Sequence, residues 1–235
     1  MNLSDLKGIT PARLGVGRSG ARPMTSTMLQ FRVDHARARD AVHSELSESF
    51  INKLLGQENA VVLKTLCSDR SDFILNPPKG KKAEDSEISK LNALEKNIDV
   101  QIVISDGLSA AAVEANIPDL LPILKDGLEL EKISFGHPVI VRFGRVAIAD
   151  QISHQVQAKI ALNLIGERPG LSSAQSLSAY ITYNPGPHTI SSDRTVVSNI
   201  HSAGTPPLEA GAYIVQLCKT ILNKKMSGVK LQKEM

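Results

Sequence analysis

The chain has 235 residues, 42% of them hydrophobic and 22% charged, and a formal net charge of +3. That length buries one good core, or one core plus a small appendage, and the apolar share is ordinary for a globular protein. With no Trp, three Tyr, five Phe and so mild a charge, the chain lacks a nucleic-acid footprint; no run approaches the ~20 apolar residues that a membrane-spanning helix needs.

Residues 1–27 are rich in Gly, Arg and Pro and read as irregular. Thr25-Ser26-Thr27 offers caps for a helix from near Met28 through Asp40 to about Ser44. Its apolar face (Leu29, Val33, Ala36) is thin, so this helix is either solvated or faces a partner. Ser47 caps a second helix with Phe50, Ile51, Leu54 and Leu55 as its stripe and Gly56 as its stop. Val61–Leu66 reads as a strand. Asn76-Pro77-Pro78-Lys79-Gly80 is a linker, and Lys79, Lys81 and Lys82 read as solvated charges within it. Ser86–Asn97 follows as a helix with Ile88, Leu91 and Leu94 at helical spacing.

From Val100 the pattern becomes regular. Val100–Ile104 is a strand, and a helix begins near Ser109. Pro118 interrupts this helix, which resumes over Leu120–Leu130. Val139–Phe143 is the next strand, Ala149–Ala158 a helix, Ile160–Ile165 a third strand and Leu208–Lys224 a long amphipathic helix. Strands alternating with helices predict an α/β fold: a doubly wound, mostly parallel sheet with helices on both faces. A small, mainly helical N-terminal domain with one strand is expected over 1–90, and the α/β domain over 91–235.

Three predicted strand ends carry polar groups to one edge: Ser105-Asp106-Gly107, Gly144-Arg145-Val146 and Gly166-Glu167-Arg168. In a parallel sheet these tips share the carboxyl edge, where open α/β sheets bind ligands. Gly and Asp also simply end strands, but three charged tips together point to a site. Gly15–Gly20 matches G-x-G-x-x-G with no strand before it, which suits an arm that docks on a partner better than a dinucleotide loop. Asp34 and His35 point about 100° apart on a helix, a poor arrangement for one metal. No G-x-S-x-G elbow occurs. Cys67 and Cys218 sit in apolar patterns without C-x-x-C spacing and read as buried thiols. MNLSDLKGIT lacks the long apolar core of a secretory signal, so a cytoplasmic location is expected.

The wording of six blocks is itself specific. They are Arg18-Ser19-Gly20-Ala21-Arg22-Pro23; Phe31–Ala36 with Arg39–Val42; Asp99–Ser109; Arg142–Val146; Gly166-Glu167-Arg168-Pro169-Gly170-Leu171 with Ser176-Leu177 and Tyr180; and Asp193-Arg194-Thr195 through Ser198–His201. In this order they resemble the small subunit of ethanolamine ammonia-lyase, from about Gly17 to about Leu231. The resemblance implies a carbon–nitrogen lyase that uses adenosylcobalamin to turn ethanolamine into acetaldehyde and ammonia by a radical route. It implies a large, barrel-shaped partner subunit that holds the substrate, so no catalytic residue and no metal ligand is expected in this chain. It implies cofactor contacts at Val146, Glu167 and Val196, the last often Cys in relatives, reached through either the main chain or the side chain. Arg145 and Arg168 are secondary candidates. A microcompartment location is not supported by the short N-terminus. Two other readings stay open: a stand-alone doubly wound nucleotide-binding enzyme, with Ser105–Ser109 as a poor phosphate loop, and a purely structural partner subunit.

Overall fold

A computed structural model of the protein describes residues 6, 9 and 12–234. The N-terminal stretch read for a secretory core lies mostly outside them. A two-residue hairpin, β1 (Arg18–Ser19) and β2 (Arg22–Pro23), turns through Gly20 at φ +62° and leads into helix α1 (Thr25–His43). Helix α2 (Glu48–Glu58) is capped by Ser47, whose Oγ accepts the Phe50 N–H at 3.3 Å. It runs past Gly56 and stops at Asn59, in the left-handed region at φ 51°. Then come β3 (Val61–Lys64), α3 (Arg70–Leu75), the short α4 (Asp85–Ile88), β4 (Val100–Ser105), α5 (Ala110–Leu130), β5 (Val139–Arg142), α6 (Ile148–Gln155) and β6 (Ile160–Gly166). The chain ends with β7 (Leu177–Tyr183), β8 (Arg194–Ile200), α7 (Pro207–Lys224) and α8 (Gly228–Gln232).

The main sheet has six strands in the order β3-β5-β4-β6-β7-β8. The first four are parallel; β7 runs antiparallel to β6, and β8 antiparallel to β7. Every residue of β4 and β6 is buried, as unbroken apolar runs in two-sided parallel sheets require. Crossovers α5 and α6 pack on opposite faces. The larger core joins α2, α5 and α7 to one face, through Leu54, Ile117, Leu121, Ile214 and Cys218. The smaller joins α6 and the segment around Leu91 to the other, through Ile148 and Ile152. The sheet is therefore doubly wound and mostly parallel.

Three local expectations differ. The helix expected over Ser86–Asn97 is α4 followed by a 3-10 turn, Ser89–Ala93. Helix α5 runs straight through Pro118 and Pro122. Each proline removes one main-chain donor, but Ile117, Leu120, Leu121 and Leu124 are buried beside them and packing holds the helix. The Asn76–Gly80 linker is exposed over 76–79, and Lys79, Lys81 and Lys82 are exposed as expected, but it is anchored at Gly80, which is buried and whose carbonyl accepts the Arg145 N–H at 2.7 Å. From the first ninety residues, β3 is an edge strand of the sheet and α2 belongs to the larger core.

Candidate functional site

The strand order reverses at β4 and β5, whose outgoing connections leave to opposite faces. Ligands commonly enter such a switch point, but here it is filled. The fully buried Asp106 carboxylate accepts the N–H groups of Phe143 and Gly144, both at 2.9 Å, and faces the Arg70 guanidinium at 3.3 Å. Burial raises its pKa to about 6, against the opposing pull of Arg70 and the backbone donors. Arg70 also donates to the carbonyls of Gly107 (2.9 Å) and Val42 (2.7 Å). Arg70 and Arg145 stack on the Phe73 ring, 4.9 and 4.1 Å from its centroid, a favourable arrangement when partly desolvated. In the Ser105–Ser109 loop the amides of Asp106, Leu108 and Ser109 donate to the carbonyls of Val141, Gly166 and Asp106, so they are not turned to a phosphate. Gly107, at φ +55°, lies so close to the β6 tip that a Cβ there would run into the Gly166 carbonyl. A nucleotide has no cradle here.

The open ground lies one strand further along, on the face that α6 covers only in part. Asn163 of β6 stands opposite Tyr180 of β7, and Tyr180 opposite Val196 of β8. Directly paired residues project from the same face, so these three form a row. Val146 joins one end of it: the Asn163 Nδ2 donates to the Val146 carbonyl at 3.2 Å, while Asn163 Oδ1 accepts from Ser105 Oγ at 2.9 Å. At the other end Val196 is 46% exposed. Glu167 borders the row from the β6 tip. Its Oε1 accepts from Ser178 Oγ at 2.6 Å and from the Asn199 N–H at 2.8 Å. Its Oε2 accepts no hydrogen bond among the described residues. Arg168, next to it, is exposed.

Val146, Glu167 and Val196 therefore border one row across β6, β7 and β8, of which β7 and β8 were left unassigned by the sequence reading. Asn163, Ser178 and Tyr180, which link them, were missed as well. The signal was present for two of these: Leu177-Ser178-Ala179-Tyr180-Ile181 alternates apolar and polar residues with the period of a half-buried strand. Asn163 is hidden inside an apolar run. Arg145 is fixed by Phe73, to whose carbonyl its Nη2 donates at 2.9 Å, and it braces the Val146 turn from behind.

A separate cavity of about 400 Å³ beside α6 is lined by Ala147, Asp150, Gln151, His154, Lys81 and Lys82, among others; none of Val146, Asn163, Glu167, Tyr180 or Val196 lines it. Asp150 pairs with Arg194 of β8, both largely buried; burial raises the Asp150 pKa and Arg194 opposes the rise. Among the described residues, no cluster of three or more His, Cys, Asp or Glu side chains is placed to hold a metal ion, and no helix is long and apolar enough to cross a membrane.

Fold and site together define a class: a doubly wound α/β chain that presents a one-sided ledge on its sheet rather than an enclosed pocket at its switch point. Within that class the chain belongs to the ethanolamine ammonia-lyase light chain family, since the family described as "Ethanolamine ammonia-lyase light chain (EutC)" matches residues 1–232. It is 49% identical over 227 residues to the ethanolamine ammonia-lyase small subunit of Clostridium tetani, covering 97% of this chain and 76% of that one. It is 44% identical to the small subunits of Listeria innocua, over 228 residues, and Clostridium perfringens, over 230, with the same coverage.

Proposed function

We propose that this chain is the small subunit of an adenosylcobalamin-dependent ethanolamine ammonia-lyase, and that its ledge holds one side of the cofactor against the large, catalytic subunit. The observation that carries this reading is the placing of Val146, Glu167 and Val196 along one face of β6, β7 and β8, with one Glu167 oxygen accepting no hydrogen bond among the described residues. The donor set suits a corrin, a broad apolar disc fringed by amides. Glu167 Oε2 can accept an amide N–H. Its other oxygen is fixed by Ser178 and Asn199, so the carboxylate is aimed before the ligand arrives and little side-chain freedom is lost on binding. Val196 offers an exposed aliphatic surface to pad the ring. Val146 lies in a turn that Asn163 and Asp106 hold in place.

When bound, adenosylcobalamin supplies a cobalt–carbon bond whose homolysis opens the radical removal of hydrogen from ethanolamine. This chain's share is to bind, orient and keep water off one face; the residues that handle substrate belong to the large subunit. A cytoplasmic setting fits the two buried free thiols, Cys67 and Cys218, since reducing compartments leave thiols unpaired.

Co-expression with the large subunit tests the reading. Cobalamin absorbance and ammonia release should both require this chain. Glu167→Gln should weaken cobalamin binding by about tenfold, the order of one hydrogen bond to a charged group, while the subunits still co-purify. Full activity and cofactor binding by the large subunit alone would end the proposal. An unchanged affinity in Glu167→Gln would reduce this chain to a scaffold.

A further inference from the structure

Helix α1 is built as if half of its environment were missing. It has nineteen residues, of which only Ala41 is buried. Met24, Met28 and Phe31 are 45, 39 and 45% exposed, and Leu29 and Val33 are 55 and 44% exposed. At 3.6 residues per turn Met24, Met28 and Phe31 form one stripe, and Leu29, Val33 and Ala36 a second, roughly opposite one. No side chain caps the N-terminus, and the first turn holds no acidic residue. A helix with so little local support and no buried face is marginal in water and takes its stability from packing.

Its charge says what packs there. Between Ala12 and His43 stand six arginines and two aspartates, a formal +4, which exceeds the +3 of the whole chain. Among the described residues only Arg13 is in an ion pair, with Asp34 at 2.6 Å. Arg18 and Arg22 of the hairpin are exposed, as are Arg32, Arg37 and Arg39 of α1.

We propose that the β1–β2 hairpin and α1 are the grip by which this chain holds its large subunit, seated between two apolar strips bordered by acidic residues. This rests on the large-subunit reading above. An interfacial membrane helix has one apolar face and one charged face, whereas α1 is apolar on two sides. A second copy would set one +4 surface against another, which an isologous contact cannot relieve. Nucleic acid would use the arginines but neither apolar stripe.

The test uses the full chain and the large subunit, with affinity measured by calorimetry at low and high salt. Three variants are compared: Arg32→Glu/Arg37→Glu/Arg39→Glu, Met28→Ser/Phe31→Ser and Leu29→Ser/Val33→Ser. Each should weaken assembly by at least about tenfold, as anchor residues do, and the arginine variant should also lose most of the salt dependence. All of these side chains are exposed, so the thermal melt of the sheet should not move. Hydrogen exchange gives an independent readout: α1 amides should exchange fast in the free chain and become protected in the complex. Wild-type affinity in all three variants, or α1 amides left unprotected, would overturn the grip. So would α1-dependent binding to phosphatidylglycerol vesicles or self-association in the absence of the large subunit. If the unmodified chain does not bind the large subunit at all, the subunit reading falls and the grip with it; binding by the unmodified chain and all variants alike removes the grip alone.

Discussion

Asp106 shows how a residue can be legible in type and illegible in role. Its position at a strand tip follows from the apolar run before it, but its partner Arg70 lies thirty-six positions away and no pattern links them. Removing one partner of a buried pair leaves an uncompensated charge and costs about 3–5 kcal/mol. Asp106→Ala should lose stability on that order in urea titrations, since the Phe143 and Gly144 amides and Arg70 lose their acceptor together. The pH dependence has a definite sign. An unfolded Asp titrates near 4 and this one at about 6, so between those values the native state binds more protons than the unfolded one. The group's contribution to stability therefore falls as pH rises from about 4 to about 6, then stays level. Asp106→Asn cannot titrate, so the stability gap between variant and wild type should move in the variant's favour across that window. A gap moving the other way would mean that the Arg70 attraction outweighs burial. Val146, Glu167 and Val196 were proposed from their wording, whereas Asn163, which hydrogen-bonds the Val146 carbonyl, was not singled out, because a polar residue inside a buried strand leaves no periodic trace.

Among the elements, those with long, regular apolar spacing were read well: α7, β4, β5 and β6 lie within a residue or two of their expected bounds. The misreadings have physical causes. β7 and β8 were overlooked because Gly, Pro and Ser on either side suggested loop, although β7 is buried along most of its length. Helix α5 was split at Pro118 because local propensity argues for a break, and tertiary burial overrode it. That conflict yields a prediction. Pro118 and Pro122 lie one turn apart on the exposed side of α5. Pro118→Ala restores an N–H that can reach the carbonyl of Glu114, and thermal melts should show a stabilisation of about 1–2 kcal/mol, part of the ~3 kcal/mol helix-interior penalty, the rest being offset by a looser unfolded chain.

For the molecule as a whole, alternation of strands and helices was enough to give the doubly wound sheet, because βαβ crossovers leave few other topologies. It could not show that α2 and β3 would join the same core and sheet, since those contacts span long sequence separations. Two thiols can report on the packing, Cys218 in that larger core and Cys67 in a separate cluster with Phe73 and Phe143. Cys218 is fully buried in α7, where burial pushes its pKa up to about 12, and burial also raises that of Cys67. Only the thiolate reacts, so both should resist a disulfide reagent in the native state. Cys218 labelling should proceed no faster than global unfolding, measured in parallel by circular dichroism. Rapid labelling of Cys218 under native conditions would mean that α7 detaches locally.

The two rims of the sheet have a further consequence. β3 is only four residues long, its Lys64 N–H donates to Glu87 Oε2 at 2.9 Å, and just beyond it Leu66 N–H donates to the Lys82 carbonyl at 3.0 Å. β8 pairs with β7 through a register shift, twists at the left-handed Asn199, and is met by the fold-back through Thr205. Neither rim presents a long, flat row of vacant amides, the template on which a stray extended chain would stack. A copy of this chain is thus a poor seed for fibres, even where many are crowded together.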